Sequence, residues 1–194
     1  TCRQHGNFGG PCSGVDMEPD YHHEELSNIT FRRCHFQNNR DHGAIISPAG
    51  LCGPGCTEPK NISIEFDECS ISGGASESSH GLPLNGMPPG ITGRIEAKNL
   101  LVSNTPGPAV LLANKAAAGA RFSCVGCRFE GCAWLQPPDG KVSPHYPGTG
   151  APTAVISMGA VTLKSRDNGF PFGGAHFQDC VVDTASTSFY TSRG

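Results

Sequence analysis

The stretch Asn28 to Asn39, NITFRRCHFQNN, is written out four more times along the chain, and this repetition limits the fold more than any other feature. Without gaps, Ile29, Phe31, Cys34, Phe36 and Asn38 match Ile64, Phe66, Cys69, Ile71 and Gly73, then Ile95, Ala97, Leu100, Val102 and Asn104. The remaining copies are Phe122, Cys124, Cys127, Phe129 and Gly131, and Ala175, Phe177, Cys180, Val182 and Thr184. Each column advances by 35, 31, 27 and 53 residues, the last near twice one period. Self-similarity at periods of about 20–50 residues marks a solenoid, a propeller or an array.

Within a copy the apolar residues alternate at i and i+2, the strand period, where a helix would place them at i, i+3 and i+4. The alternation slips once before the Cys/Leu column, as a bend or bulge between two short strands would make it. Four of the five copies close on Asn or Gly, residues that enter the left-handed region at low cost, which predicts a corner with positive φ. A second apolar run follows each corner: Ala44-Ile45-Ile46, Leu82-Pro83-Leu84, Ala109-Val110-Leu111-Leu112 and Ala154-Val155-Ile156. One repeat is then strand, corner, strand, variable loop. Parallel stacking of such units gives an all-β solenoid rising about 4.8 Å per coil.

These copies, with Gly14-Val15-Asp16-Met17-Glu18-Pro19, resemble the right-handed parallel β-helix superfamily, the pectate-lyase-like fold of many polysaccharide lyases, glycoside hydrolases, epimerases and phage tailspikes. The Gly14 to Pro19 segment is similar to the G-[IV]-D-x-E-P stretch of bacterial members. The resemblance spans residues 14 to 184, with 1–13 as a loop or N-terminal cover and 185–194 as a tail. It implies a right-handed parallel β-helix of about six coils in a single domain, and a substrate lying along an outer strand face. The fold hosts many chemistries, so activity has to be argued from side chains.

The net charge of −3 leaves no basic stripe to neutralise phosphates, which argues against a nucleic-acid partner. No apolar run approaches the length of a membrane span. The chain begins at Thr1 without a signal peptide and shows no amphipathic capping helix. It therefore reads as a mature or excised segment of a longer solenoid, or as one that pairs end to end with flanking coils or other copies. Of the ten cysteines, Cys34, Cys69, Cys127 and Cys180 share an inward column, where neighbours one coil apart are within disulfide reach. Cys124-x-x-Cys127 falls on inward positions and reads as core in preference to a metal or redox pair. Cys2, Cys12, Cys52, Cys56 and Cys132 lie in loops or at corners. Bridges Cys2–Cys12 and Cys52–Cys56 are expected, in a secreted or extracellular setting. Asn28 and Asn61 open glycosylation sequons.

Gly14 to Pro19 aligns with Gly43 to Pro48, so Val15 and Met17 face in while Asp16 and Glu18 face out. The corresponding outward pairs are Ile45 and Ser47, Pro83 and Asn85, Val110 and Leu112, and Val155 and Ser157, so only the first coil has two carboxylates there. Outward residues two apart on a strand sit about 6.5–7 Å from each other, workable for paired-carboxylate hydrolysis or for holding a hard cation such as Ca²⁺, the one cofactor the pattern suggests. Asp16 and Glu18 are the catalytic candidates, with Asp20, His22 and His23 lining the groove; the bland reading is a solvated strand edge. Trp134, His145 and Tyr146, in the longest loop, form a second substrate-binding candidate by sugar stacking, or else shield their own solenoid. A lyase built on Arg32, Arg33, His35 and His42 is weaker, because charge ladders such as Arg32–Asp67–Lys98 and Arg33–Glu68 already account for the arginines. Two functions remain: an extracellular protein that binds or cleaves polysaccharide, as a lyase or glycoside hydrolase if an enzyme, and a non-catalytic structural module of an extracellular fibre or surface glycoprotein.

Overall fold

Alternating burial builds short strands that return to the same three faces on every coil. The structure, a computed structural model, describes residues 13–52, 58–74, 80–84, 90–112, 119–132, 156–158 and 175–183. The first coil holds β1 (Val15–Met17), β2 (Ile29–Arg32) and β3 (His35–Gln37), and the second β4 (Ala44–Ile46), β5 (Lys60–Asp67) and β6 (Ser70–Ser72). The third holds β7 (Leu82–Leu84), β8 (Ile91–Lys98) and β9 (Leu101–Ser103), and the fourth β10 (Val110–Leu112), β11 (Gly119–Val125) and β12 (Arg128–Glu130). The last described strands are β13 (Ile156–Met158), β14 (Ala175–Gln178) and β15 (Val181–Asp183).

These strands form three five-stranded sheets: β1-β4-β7-β10-β13, β2-β5-β8-β11-β14 and β3-β6-β9-β12-β15. Pairing is parallel in each. This is an all-β parallel solenoid, with fewer coils than the six expected, since each sheet is crossed five times among the described residues.

Register in the second sheet follows the repeat. Ile29, Ile64, Ile95, Phe122 and Ala175 are consecutive partners, as are Phe31, Phe66, Ala97, Cys124 and Phe177. A one-residue slip would turn every apolar side chain to the other face, so the burial requirement fixes this register strongly. Phe66 and Phe129 have no exposed surface and Ile64 and Phe122 only 1%. The Phe31 and Phe66 rings stack at 5.1 Å, with Phe36 edge-on to both.

The corner expected at the closing position is present, with positive φ at Asn38, Gly73, Asn104 and Gly131. The slip before the Cys/Leu column is a second corner and not a bulge. Arg33, Glu68, Asn99, Gly126 and Asp179 all have φ between 50° and 64°. Their amides bond the next coil, Arg33 to Asp67 O and Glu68 to Lys98 O, so coil-to-coil pairing holds even Arg and Glu in a conformation they rarely choose alone.

In the first sheet the alignment of Gly14 to Pro19 holds, with Asp16 opposite Ile45. Later coils are shifted from expectation: Leu111, not Val110, partners Pro83, and Ser157 partners Leu111. Val110 and Leu112 face the interior. Ile45, Pro83 and Leu111, on the side expected to meet solvent, are buried outside the main core cluster. The carboxylate pair on this face belongs to its first coil, Asp16 and Glu18.

The charge ladders form with one change. Arg32 pairs with Asp67 at 3.0 Å and Arg33 with Glu68 at 2.5 Å, but Lys98 turns to Glu65 at 2.8 Å instead of Asp67. Glu65 and Glu96 are direct register partners, and Lys98, also 3.7 Å from Glu96, offsets their repulsion.

Cys34, Cys69, Cys124, Cys127, Cys132 and Cys180 are free thiols, so the reach along the column is not used for bridging. Four of them instead donate to a carbonyl of an earlier coil: Cys69 to Phe31 O, Cys127 to Ala97 O, Cys132 to Val102 O and Cys180 to Cys124 O. Cys132 is therefore a core residue and not a loop one. The hydrogen bond with Cys127, followed by burial, pushes the Cys124 thiol up. Cys52 is buried and is not among these free thiols.

Candidate functional site

The acidic strip starts within β1 at Asp16 and continues past its end at Glu18. Ser47 N donates to Met17 O at 3.0 Å, fixing the segment to the next coil. The 3-10 turn Pro48–Cys52 packs beneath it, where a Cβ on Gly50 would fall 1.9 Å from Pro19 O; a side chain there would displace the strip. Beyond Pro19 the chain closes a tight turn. The Glu24 carboxylate accepts the amides of Asp20 at 2.7 Å and Tyr21 at 3.0 Å, and Glu24 N donates back to Tyr21 O at 3.1 Å. Ser63 N donates to the carbonyl of buried Leu26, and the chain then enters β2.

This turn displays a row of rings. Tyr21 and His23 stack with centroids 5.5 Å apart and 18° between planes, and His22 stands edge-on to His23 at 5.8 Å. Tyr21 is 59% exposed. Asp16, Glu18, Asp20, His22 and His23 are all exposed.

The electrostatics separate the acids from an ordinary solvated edge. Partial burial raises the Asp16 carboxyl. Burial first, then the neighbouring Asp16 charge, raises that of Glu18; a hydrogen bond with Ser47 works against this, and Asp20 adds to it. Two carboxyls crowded on one strand share a proton more readily than isolated ones. The arrangement can accept hydroxyl hydrogen bonds, offer a flat ring surface and hold a proton more readily than unperturbed carboxyls would. Among the described residues no group of three or more His, Cys, Asp or Glu is placed to hold a metal ion.

The other candidates are dispersed. Trp134, His145 and Tyr146 lie outside the described residues, as do Cys2, Cys12 and Cys56. Asn28 and Asn61 are exposed. Arg32 and Arg33 are engaged by Asp67 and Glu68 on another sheet, which removes the cation a lyase would need beside the acids. His42 turns inward and meets His80: the rings are 5.1 Å apart and His80 is 2% exposed. Tyr21 and Glu24 are the residues the sequence reading left without a role. The spacing of Glu24, three and four residues after the amides it caps, was the available signal.

No helix among the described residues is long and apolar enough to cross a membrane. No family model matches this chain, and no curated protein or solved structure matches it.

Proposed function

We propose that the chain is an extracellular member of the pectate-lyase-like β-helix superfamily that binds, and by hydrolysis cleaves, a neutral polysaccharide at its first coil. What supports the reading is that Asp16 and Glu18, both exposed and both with raised carboxyl pKa, lie only a few residues along the chain from the stacked Tyr21 and His23 rings. Sugar rings present C–H faces to aromatic surfaces and hydroxyls to carboxylates. An acidic strip repels uronates, which favours a neutral chain over pectate-like polymers. A strand spacing of about 6.5–7 Å between the two acids suits an inverting hydrolase, in which Glu18 is the acid and Asp16 the base that activates water. His22 and Asp20 would line the groove, and Trp134, His145 and Tyr146 remain candidates for extending it. Cys52 paired to Cys56, and Cys2 to Cys12, would suit that compartment.

Affinity electrophoresis and reducing-end assays over neutral and uronate polysaccharides test this. Retention by a neutral polymer, lost in Tyr21→Ala and weakened in Asp16→Asn, is expected. Equal mobility with and without every polymer, together with no new reducing ends, would sink it. A second reading, a non-catalytic module of an extracellular fibre, draws on the charge ladders, which set coil register without serving any reaction.

A further inference from the structure

The two end rungs of the described solenoid have matching shapes. Inward columns sealed in the middle coils stay partly open at both ends. Phe66 and Cys124 are fully buried, whereas Phe31 and Phe177 in the same column are only partly so; Cys127 is fully buried, Cys34 and Cys180 partly. Val181, on the last rung, is 50% exposed. Strands β2 and β3 edge one end of their sheets and β14 and β15 the other, and an edge strand offers its main-chain groups for further pairing. The corner residue between the two strands has nearly the same φ at both ends, 53° at Arg33 and 52° at Asp179. The last rung therefore has the backbone profile that the interior rungs present to their neighbours.

We propose that a second copy of this chain docks head to tail, its β2–β3 rung adding to the β14–β15 rung of the first. In that register Phe177 meets Phe31 of the next copy, extending the stack Phe31 already makes with Phe66. Asp179 meets Arg33, which then lies between Asp179 and its own partner Glu68, continuing the alternation of sign along the corner column. Gln178 meets Arg32, and Cys180 meets Cys34. The contact is heterologous and open-ended, so it adds copies in a line. It is independent of glycan binding and deepens the fibre reading by naming the partner and its register.

Sedimentation over a concentration series and peptide mapping of oxidised samples test it. Isotope-labelled and unlabelled chains are mixed with oxidised glutathione, in a Cys69→Ser, Cys124→Ser, Cys127→Ser background that removes the nearest within-chain thiols. The Cys34 and Cys180 thiols of adjacent copies then lose two protons and two electrons to the glutathione disulfide, forming one S–S bond and two glutathione thiols. A mixed-isotope Cys34–Cys180 peptide is expected, together with concentration-dependent association of the parent chain. Asp179→Lys and Val181→Glu should each raise the concentration needed for association at least tenfold without changing the melting midpoint. Association that stops at a Cys34–Cys180-linked dimer supports the pairing and removes the fibre reading alone. Monomers at every concentration, or links joining Cys34 to Cys34 or Cys180 to Cys180, overturn the proposal.

Discussion

The amide of His80 donates to Nδ1 of His42 across one coil at 3.2 Å, and the two Nδ1 atoms lie 3.3 Å apart. Burial, with the neighbouring His42, holds the His80 imidazole down to about 3, and burial lowers His42 as well despite the opposing charge of Asp41. Folding therefore keeps this pair neutral inside the corner between the third and first sheets.

That burial sets an acid limit on stability. Between pH 6.5 and about 3 the unfolded chain binds a proton at His80 that the folded chain refuses, so stability rises with pH through this window and is lost on acidification. The slope is at most about 1.4 kcal/mol per pH unit for this group. Thermal melts across that range should show the midpoint falling toward acid, and His80→Phe should flatten the profile. A parent profile with no slope there would contradict the buried neutral pair.

Asp16 and Glu18 act in the opposite direction. Their folded pKa values lie above the unfolded ones, so they favour the folded chain at pH below the raised values and lose that contribution as pH rises through them. Both are exposed, and solvent screening keeps the effect small. Asp16→Asn with Glu18→Gln should leave the neutral-pH melting midpoint equal or slightly higher while abolishing reducing-end release. A large loss of stability in the double variant would mean that the strip is structural.

Phe66 is sealed between Phe31 and Phe36. Phe66→Ala should cost about 3–5 kcal/mol in urea denaturation, through lost burial and the cavity left behind. Phe66→Leu should cost clearly less.

Gly93 has φ of 104°, and a Cβ there would fall 2.0 Å from Ile62 O. Gly93→Ala should destabilise by about 2 kcal/mol or more, because backbone cannot yield as a side-chain tip can. Asn99→Gly, at φ of 50° with no such clash at stake, should be neutral or stabilising by about 0.5–1 kcal/mol in the same assay.

Lys98 bridges Glu65 and Glu96 at the surface. Lys98→Met should change stability by about 0–1 kcal/mol at low salt, and by less in 1 M salt. A salt-independent loss would show that its stem, not its charge, is what matters.

How much was legible follows from where each constraint resides. Phe31, Phe66, Cys124 and Phe177 could be assigned to one column by eye, because each copy carries the same alternation in a single unbroken stretch. The register slip at Val110 arose because Ala109-Val110-Leu111-Leu112 is apolar throughout and offers no alternation to count. Ile45 and Pro83 looked outward by parity and are nonetheless buried, since parity says which side a residue faces and not what covers that side. Cys132 read as a loop or corner residue; its burial, like that of His80, depends on neighbours a full coil away.

The amino-acid order alone determined the parallel solenoid, the inward columns and the left-handed closing corners at Asn38, Gly73, Asn104 and Gly131, because alternation and small αL-tolerant residues are local properties written afresh in each copy. Tertiary structure alone decided the second corner at Arg33 and Glu68, the turn of Lys98 toward Glu65, the neutral His42–His80 pair and the stacking of Tyr21 on His23. Those depend on hydrogen bonds, charges and burial supplied by residues a whole coil apart, or by a loop folding back on its own strand, and no local pattern encodes either.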